Sequence, residues 1–173
     1  MNKIIGVATG PSAIKQLLLA RKVDVALTYF TSVPEMAASG GGGHKLGYLR
    51  YAEYKVSLLG GGLVVHNNTI KNRGAMLRKF VRASGKGYAA AKKNPDRAIS
   101  GLMKRAPMTV TKKKIAITNL KMSLSLLHTK NSKGKPVGWM APADWKLTIE
   151  LLTKYRKMNP KAVDQYYTNE FNE

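Results

Sequence analysis

The sequence contains no cysteine among its 173 residues, which excludes a disulfide framework, a thiolate metal site and a cysteine nucleophile. Acidic residues are almost as scarce: 9 Asp and Glu stand against 30 Lys and Arg, a formal charge of +21. Long apolar runs are missing too. The most apolar stretch, residues 58–65, is broken by three glycines and falls far short of the roughly 18 residues a membrane span requires, so a soluble or peripheral chain is expected. The opening Met1-Asn2-Lys3-Ile4-Ile5-Gly6 has neither the apolar core nor the small-residue cleavage site of a signal peptide, so no signal peptide is expected in this chain.

What is present is an ordinary globular mixture, 44% hydrophobic and 23% charged, which argues against both a disordered and a collagen-like chain. The length suits one domain or an incomplete copy of something larger. The charge is unevenly placed. Residues 71–135 hold 18 basic side chains and 1 acidic one, residues 1–70 hold 7 and 3, and residues 136–173 hold 5 and 5. Such a block attracts nucleic acid or anionic lipid through counterion release whether or not that is its role, and a solvated helical surface is the simpler expectation.

Periodicity supplies the elements. Residues 4–8 are apolar and short, as a buried strand is, and Thr9-Gly10-Pro11-Ser12 turns the chain into a helix carrying Ile14, Leu17 and Leu18. Residues 23–29 read as a second strand, so the order is βαβ and the class α/β. Ser32 and Pro34 open a short helix that Gly40 to Gly43 end. Residues 46–51 and 58–65 read as further strands, and the three glycines of the latter suit a hinge or a close backbone approach. Between Asn72 and Lys93 the apolar set Met76, Leu77, Phe80, Val81, Ser84 and Tyr88 recurs at three- and four-residue spacing, with Arg73, Arg78, Lys79, Arg82 and Lys86 off that stripe. Asn94 and Pro95 start another helix, expected to end before Pro107. One more is expected from about Thr111 to His128 with Ile115, Leu120, Leu124 and Leu127 inward, and the last carries Trp145, Ile149, Leu152 and Tyr155. The aromatic tail through Tyr166, Tyr167 and Phe171 is expected to dock.

Catalytic constellations are missing from this pattern. His44, His66 and His128 are scattered with no i,i+4 pair, so no metal site is expected. Ser12 lacks the glycine two residues later that a nucleophile elbow requires. There is no phosphate loop either, and Gly85-Lys86-Gly87 reads as a small-residue packing point on a helix. In open α/β sheets ligands bind beyond the carboxyl ends of the strands, which directs attention to two places. At Thr9-Gly10-Pro11-Ser12, backbone N–H groups of a helix N-terminus can receive an anionic or acceptor group. At Thr28-Tyr29-Phe30-Thr31-Ser32 with Glu35, aromatics, hydroxyls and one carboxylate could stack on and hydrogen-bond a small polar ring.

These residues also carry a family resemblance. Gly10-Pro11-Ser12-Ala13 followed by Leu18-Leu19-Ala20-Arg21-Lys22-Val23-Asp24-Val25-Ala26 resembles the "GPSA…aLLaGkvDaa" stretch of the substrate-binding proteins of ABC importers, in the branch shared with thiamine-pyrimidine synthases and the nitrate, sulfonate and taurine binders. Leu77-Arg78-Lys79-Phe80-Val81-Arg82-Ala83 is similar to the family's "lvrrFlrA" helix and Asn94-Pro95-Asp96-Arg97-Ala98 to its "nPeeA" turn. Gly138-Trp139-Met140 with Trp145 resembles its "G.m….W" segment, and Tyr166-Tyr167-Thr168-Asn169-Glu170-Phe171 its closing "yytneF".

The resemblance implies a periplasmic-binding-protein-like (type II) clamshell, of which this chain would supply only the C-terminal part. Residues 1–55 would be the remainder of the second lobe, 56–62 a hinge crossing, and 63–173 the mainly helical return to the first lobe. It further implies a non-enzymatic, monomeric component that holds a small polar or aromatic solute between lobes for a membrane permease, in the periplasm or at the extracellular surface. Gly10 and Ser12 would act as donors, Tyr29 would stack, Thr31 and Ser32 would hydrogen-bond, and Glu35 would meet an amine-like edge. No cofactor or metal is expected. The alternatives are a thiamine-pyrimidine biosynthesis enzyme relative, whose cysteine-rich motif this chain lacks, and a basic protein contacting nucleic acid or anionic membrane non-specifically through residues 71–135.

Overall fold

The structure is a computed structural model and describes residues 4–40, 46–110 and 112–172. The chain divides into two compact units, Met1–Tyr48 and Leu49–Glu173.

In the first unit, helix α1 spans Pro11–Leu19 with Gly10 at its N-cap and proline at the first helical position, where the missing N–H costs nothing. Its end is a Schellman turn. Lys22 N–H donates to Leu17 O at 2.8 Å and Arg21 N–H to Leu18 O at 3.0 Å, with Arg21 left-handed at φ 54°. A 3₁₀ turn, Phe30–Ser32, leads into α2, Val33–Ser39, whose Met36 is the buried residue of this unit. Ser32 stands at the N-cap of α2, but its backbone is already helical and its side chain makes no capping bond, contrary to expectation. Gly40 ends α2. A Cβ there would come within 3.3 Å of Leu19 Cδ2, so the small residue lets the end of α2 approach α1. Gly41, Gly42, Gly43 and His44 lie outside the described residues, as do Met1, Asn2 and Lys3.

The second unit is built of helices. A 3₁₀ turn, Tyr51–Tyr54, is followed by extended chain and then by α3, Asn67–Asn72, which His66 caps by accepting from Asn68 N–H through Nδ1 at 3.1 Å. Helix α4, Gly74–Lys93, runs into α5, Pro95–Arg105, where Asn94 Oδ1 accepts from Arg97 N–H at 2.9 Å and so caps the restart. Helix α5 stops before Pro107, as its sequence predicts. Helix α6, Lys113–Ser125, ends earlier than His128, with the Ser125 hydroxyl bonding back to Met122 O at 2.7 Å in its last turn, and Thr111 lies outside the described residues. Helix α5 packs on both α4 and α6, which also touch each other. Lys113 Nζ reaches Asp96 at 2.9 Å and joins the starts of α6 and α5. Helix α7, Pro142–Arg156, closes the series and stops at left-handed Lys157. Leu77, Ile99, Val110, Ala141, Ile149 and Phe171 form the buried apolar set of this unit.

The expected sheet is the main correction. No strand occurs among the described residues. Residues 4–8, 23–29, 46–50 and 58–65 run without regular structure and Tyr51 belongs to a 3₁₀ turn. Their apolar side chains face solvent: Ile4 is 96% exposed, Leu27 74% and Val64 95%. The physical reason is that a strand acquires its hydrogen bonds only from a neighbour, and these segments have none, whereas a helix satisfies itself. The described residues therefore do not show the sheet of an α/β clamshell.

Smaller departures follow from the same packing. Tyr155 is 67% exposed and so lies off the inner face of α7, and Met76, Phe80 and Tyr88 are 39%, 55% and 45% exposed while Leu77 alone of their stripe is buried. A Cβ at Gly85, Gly87 or any of Gly60, Gly61 and Gly62 would meet nothing within 4 Å, so these glycines mark no close approach here.

Candidate functional site

All six candidate ligand residues fall in the first unit. Gly10 presents no side-chain acceptor at the start of α1, so the first-turn N–H groups at Ser12 and Ala13 face outward from the helix end. Ser12 itself is exposed. Tyr29 precedes the 3₁₀ turn with its ring 79% exposed, its carbonyl accepting from Ser32 N–H at 2.9 Å. Thr31 and Ser32 are half-buried in that turn.

Glu35 is differently placed than its sequence position suggests. Its Oε2 lies 3.1 Å from Lys15 Nζ, so the carboxylate ties α2 to α1 and already faces a cation. An incoming amine would compete with Lys15. Phe30 packs on Tyr48 at 5.2 Å between centroids. Lys15 and Tyr48 were not singled out from sequence, since nothing in local spacing pairs residues that far apart in the chain.

In the second unit the structure gathers segments that the sequence could only place in order. Asn169 clasps Met140 through both backbone groups, its Oδ1 accepting from Met140 N–H at 2.9 Å and its Nδ2 donating to Met140 O at 2.8 Å. Asn172 Nδ2 donates to Gly138 O at 3.2 Å. Gly138 has φ 89°, and a Cβ there would come within 3.3 Å of Asn172 Oδ1, which explains a glycine at this point. Trp145 stacks on Tyr167 at 5.4 Å and on Tyr166 at 5.8 Å. Arg78 on α4 donates to Glu170 O at 2.6 Å and lies over the buried Phe171 ring at 5.5 Å. The tail docks, and it does so against the segments around Gly138, Trp145 and Arg78.

The remaining histidines with described positions have structural partners. His66 caps α3, and His128 Nε2 lies 3.0 Å from Lys135 O. No group of three or more His, Asp or Glu side chains that could hold a metal ion occurs among the described residues. A solvent-open groove of ≈ 410 Å³ is lined by Lys92, Pro95, Lys121, Leu124, Ser125 and His128. Its lysines belong to the basic block, and it holds none of the candidate residues.

No helix among the described residues is long and apolar enough to cross a membrane. No curated protein and no solved structure matches the chain. A family model described as NMT1/THI5 like does match it, over residues 1–98, a span that includes the Gly10 turn, the α1 end, the Tyr29 cluster, α4 and the Asn94 cap. With more than half its length matched, the chain belongs to the NMT1/THI5-like family, whose fold is the type II periplasmic-binding-protein one and which covers ABC substrate-binding proteins and relatives of thiamine-pyrimidine synthases.

Proposed function

We propose that the chain is a non-enzymatic solute-binding component of an ABC-type importer, and that it carries the C-terminal part of a clamshell. The observation that carries this reading is the family match over residues 1–98, because every residue we assign to the ligand lies within it. In this reading residues 1–55 finish the second lobe, 56–62 cross the hinge and 63–173 return to the first lobe. The solvent-facing apolar segments are consistent with sheet strands whose neighbours are not in this chain. The solute is small and polar or aromatic, of the thiamine-pyrimidine, sulfonate or nitrate class. The α1 N-terminus at Gly10 and Ser12 supplies donors, Tyr29 supplies a ring face and Thr31 and Ser32 supply hydroxyls. Glu35 contributes only by exchanging Lys15 for a basic edge of the solute. The partner is a membrane permease, and the place of work is the periplasm or the outer cell surface, where members of this family generally act. Structural roles for His66 and His128 and the absence of cysteine favour binding over catalysis.

Calorimetric titration with thiamine pyrimidine, taurine, an alkanesulfonate and nitrate tests the proposal. One of these should bind no tighter than about 1 mM, near −4 kcal/mol, because a single lobe's donors are on offer. Tyr29→Ala should abolish that signal. Micromolar binding by this chain would refute the partition into incomplete lobes. Chemical conversion of any of the four would refute the non-enzymatic reading.

A further inference from the structure

The solvent face of α4 is divided lengthwise. Met76, Phe80, Ala83 and Gly87 follow one another at steps of four, three and four residues, which sets them in a single line along the helix. Phe80 is 55% exposed and Met76 39%. Beside that line runs a second one, Lys79, Arg82, Lys86 and Lys93, all four exposed. Helix α4 contains no acidic residue, and none of these four cations has an acidic partner among the described residues. The single acid of residues 71–135, Asp96, is held by Lys113 on the far side of the Asn94 turn.

We propose that this face of α4 docks on an anionic lipid surface, independently of any solute the first unit binds. Charge complementarity selects the occupant. A second copy of the chain would bring +21 against +21. A nucleic-acid backbone would satisfy the lysines and Arg82 but leave the Met76 and Phe80 line without a role. A bilayer interface satisfies both lines at once. The apolar line enters the boundary between headgroups and acyl chains, while the long basic side chains reach phosphates and carry their stems along the apolar zone.

The test is flotation of the purified full chain with phosphatidylglycerol–phosphatidylcholine vesicles, with pure phosphatidylcholine vesicles and with a DNA duplex of mixed sequence. Binding to the anionic vesicles alone among the lipids is expected. The triple variant Lys79→Glu, Arg82→Glu, Lys86→Glu should lower it at least about a hundredfold, since each basic residue near an anionic surface is worth roughly fivefold. A second triple variant, Lys104→Glu, Lys130→Glu, Lys133→Glu, changes net charge equally but lies off α4, and should cost less than a tenth of that. Phe80→Ala should weaken vesicle binding several-fold and leave DNA retention unchanged. Equal losses from the two triple variants would show a diffuse field and overturn the proposal. So would an unaffected Phe80→Ala, and so would DNA binding that outlasts vesicle binding as salt is raised.

Discussion

The extended segments at residues 4–8, 23–29 and 58–65 are more apolar than helices α4, α5 and α6, yet the helices find neighbours and the extended segments do not. Leu77 and Ile99 are 5% and 6% exposed, whereas Val25 and Leu63 are 73% and 55%. A helix closes its backbone bonds within its own turns and needs only one packed face to persist. A strand needs a second strand for its backbone before burial of its side chains can help at all. One contact hints at how weakly the extended chain is held, for Leu59 N–H donates to the Thr148 hydroxyl on α7 at 3.2 Å.

Amide hydrogen exchange would show this contrast most strongly. Residues 23–29 and 60–65 should exchange at unprotected rates, while the central turns of α4 and α5 should be slower by about a hundredfold or more, as local opening free energies span from near zero to the global value. Protection across 23–29 would break the comparison by revealing a ladder. Within the second unit, Phe171→Ala should cost about 3 kcal/mol, because a buried ring is removed from between Gly74 and Arg78 and the tail loses its apolar anchor. Urea unfolding followed by tryptophan fluorescence in a Trp139→Phe background reads it, since the Trp145 indole stacks on the tail's tyrosines.

Asn169→Ala should cost about 2 kcal/mol by the same measurement, as both backbone groups of Met140 lose their partner, and Asn169→Asp should recover part of that by keeping the acceptor. Charge reversals along α4 sharpen the comparison further. Arg78→Glu should destabilise by about 1.5 kcal/mol through its lost bond to the Glu170 carbonyl, while Arg82→Glu should stay within about 0.5 kcal/mol. Two basic residues one turn apart, alike in sequence, thus differ in what they hold. A further small effect is expected in the first unit. Arg21 occupies a left-handed position that glycine fills without steric cost, so Arg21→Gly should stabilise the end of α1 by about 0.5–1 kcal/mol, visible as slower exchange of the α1 amides. The resemblance stretch carries glycine at that position, and the Schellman turn gives the reason.

The helix starts that carry the candidate residues were legible, but the strand ends they were expected to follow are not found among the described residues, and their pairings were not foreseen. The candidate residues all sit at helix starts and turns, as the Gly10-Pro11 and Ser32-Pro34 signals indicate, because capping and proline preferences act over one turn of chain. That Glu35 faces Lys15, that Phe30 meets the Tyr48 ring, and that Lys92 and Lys121 line one groove were not legible, for each depends on residues distant in sequence.

By itself the sequence determined most of the helices, though not α3 or the end of α6, the stops at Pro107 and at Gly40, the concentration of charge in residues 71–135 and the order of the family's segments, all of which are set by local backbone sterics or by counting. Only the tertiary structure decided that Tyr166, Tyr167 and Asn169 close upon Trp145 and Met140, that Arg78 serves the tail while Lys79 and Arg82 serve the solvent face, and that strand-patterned segments stand unpaired. Those outcomes depend on non-local partners, and a β pattern states only that a partner is wanted, not whether the chain contains one.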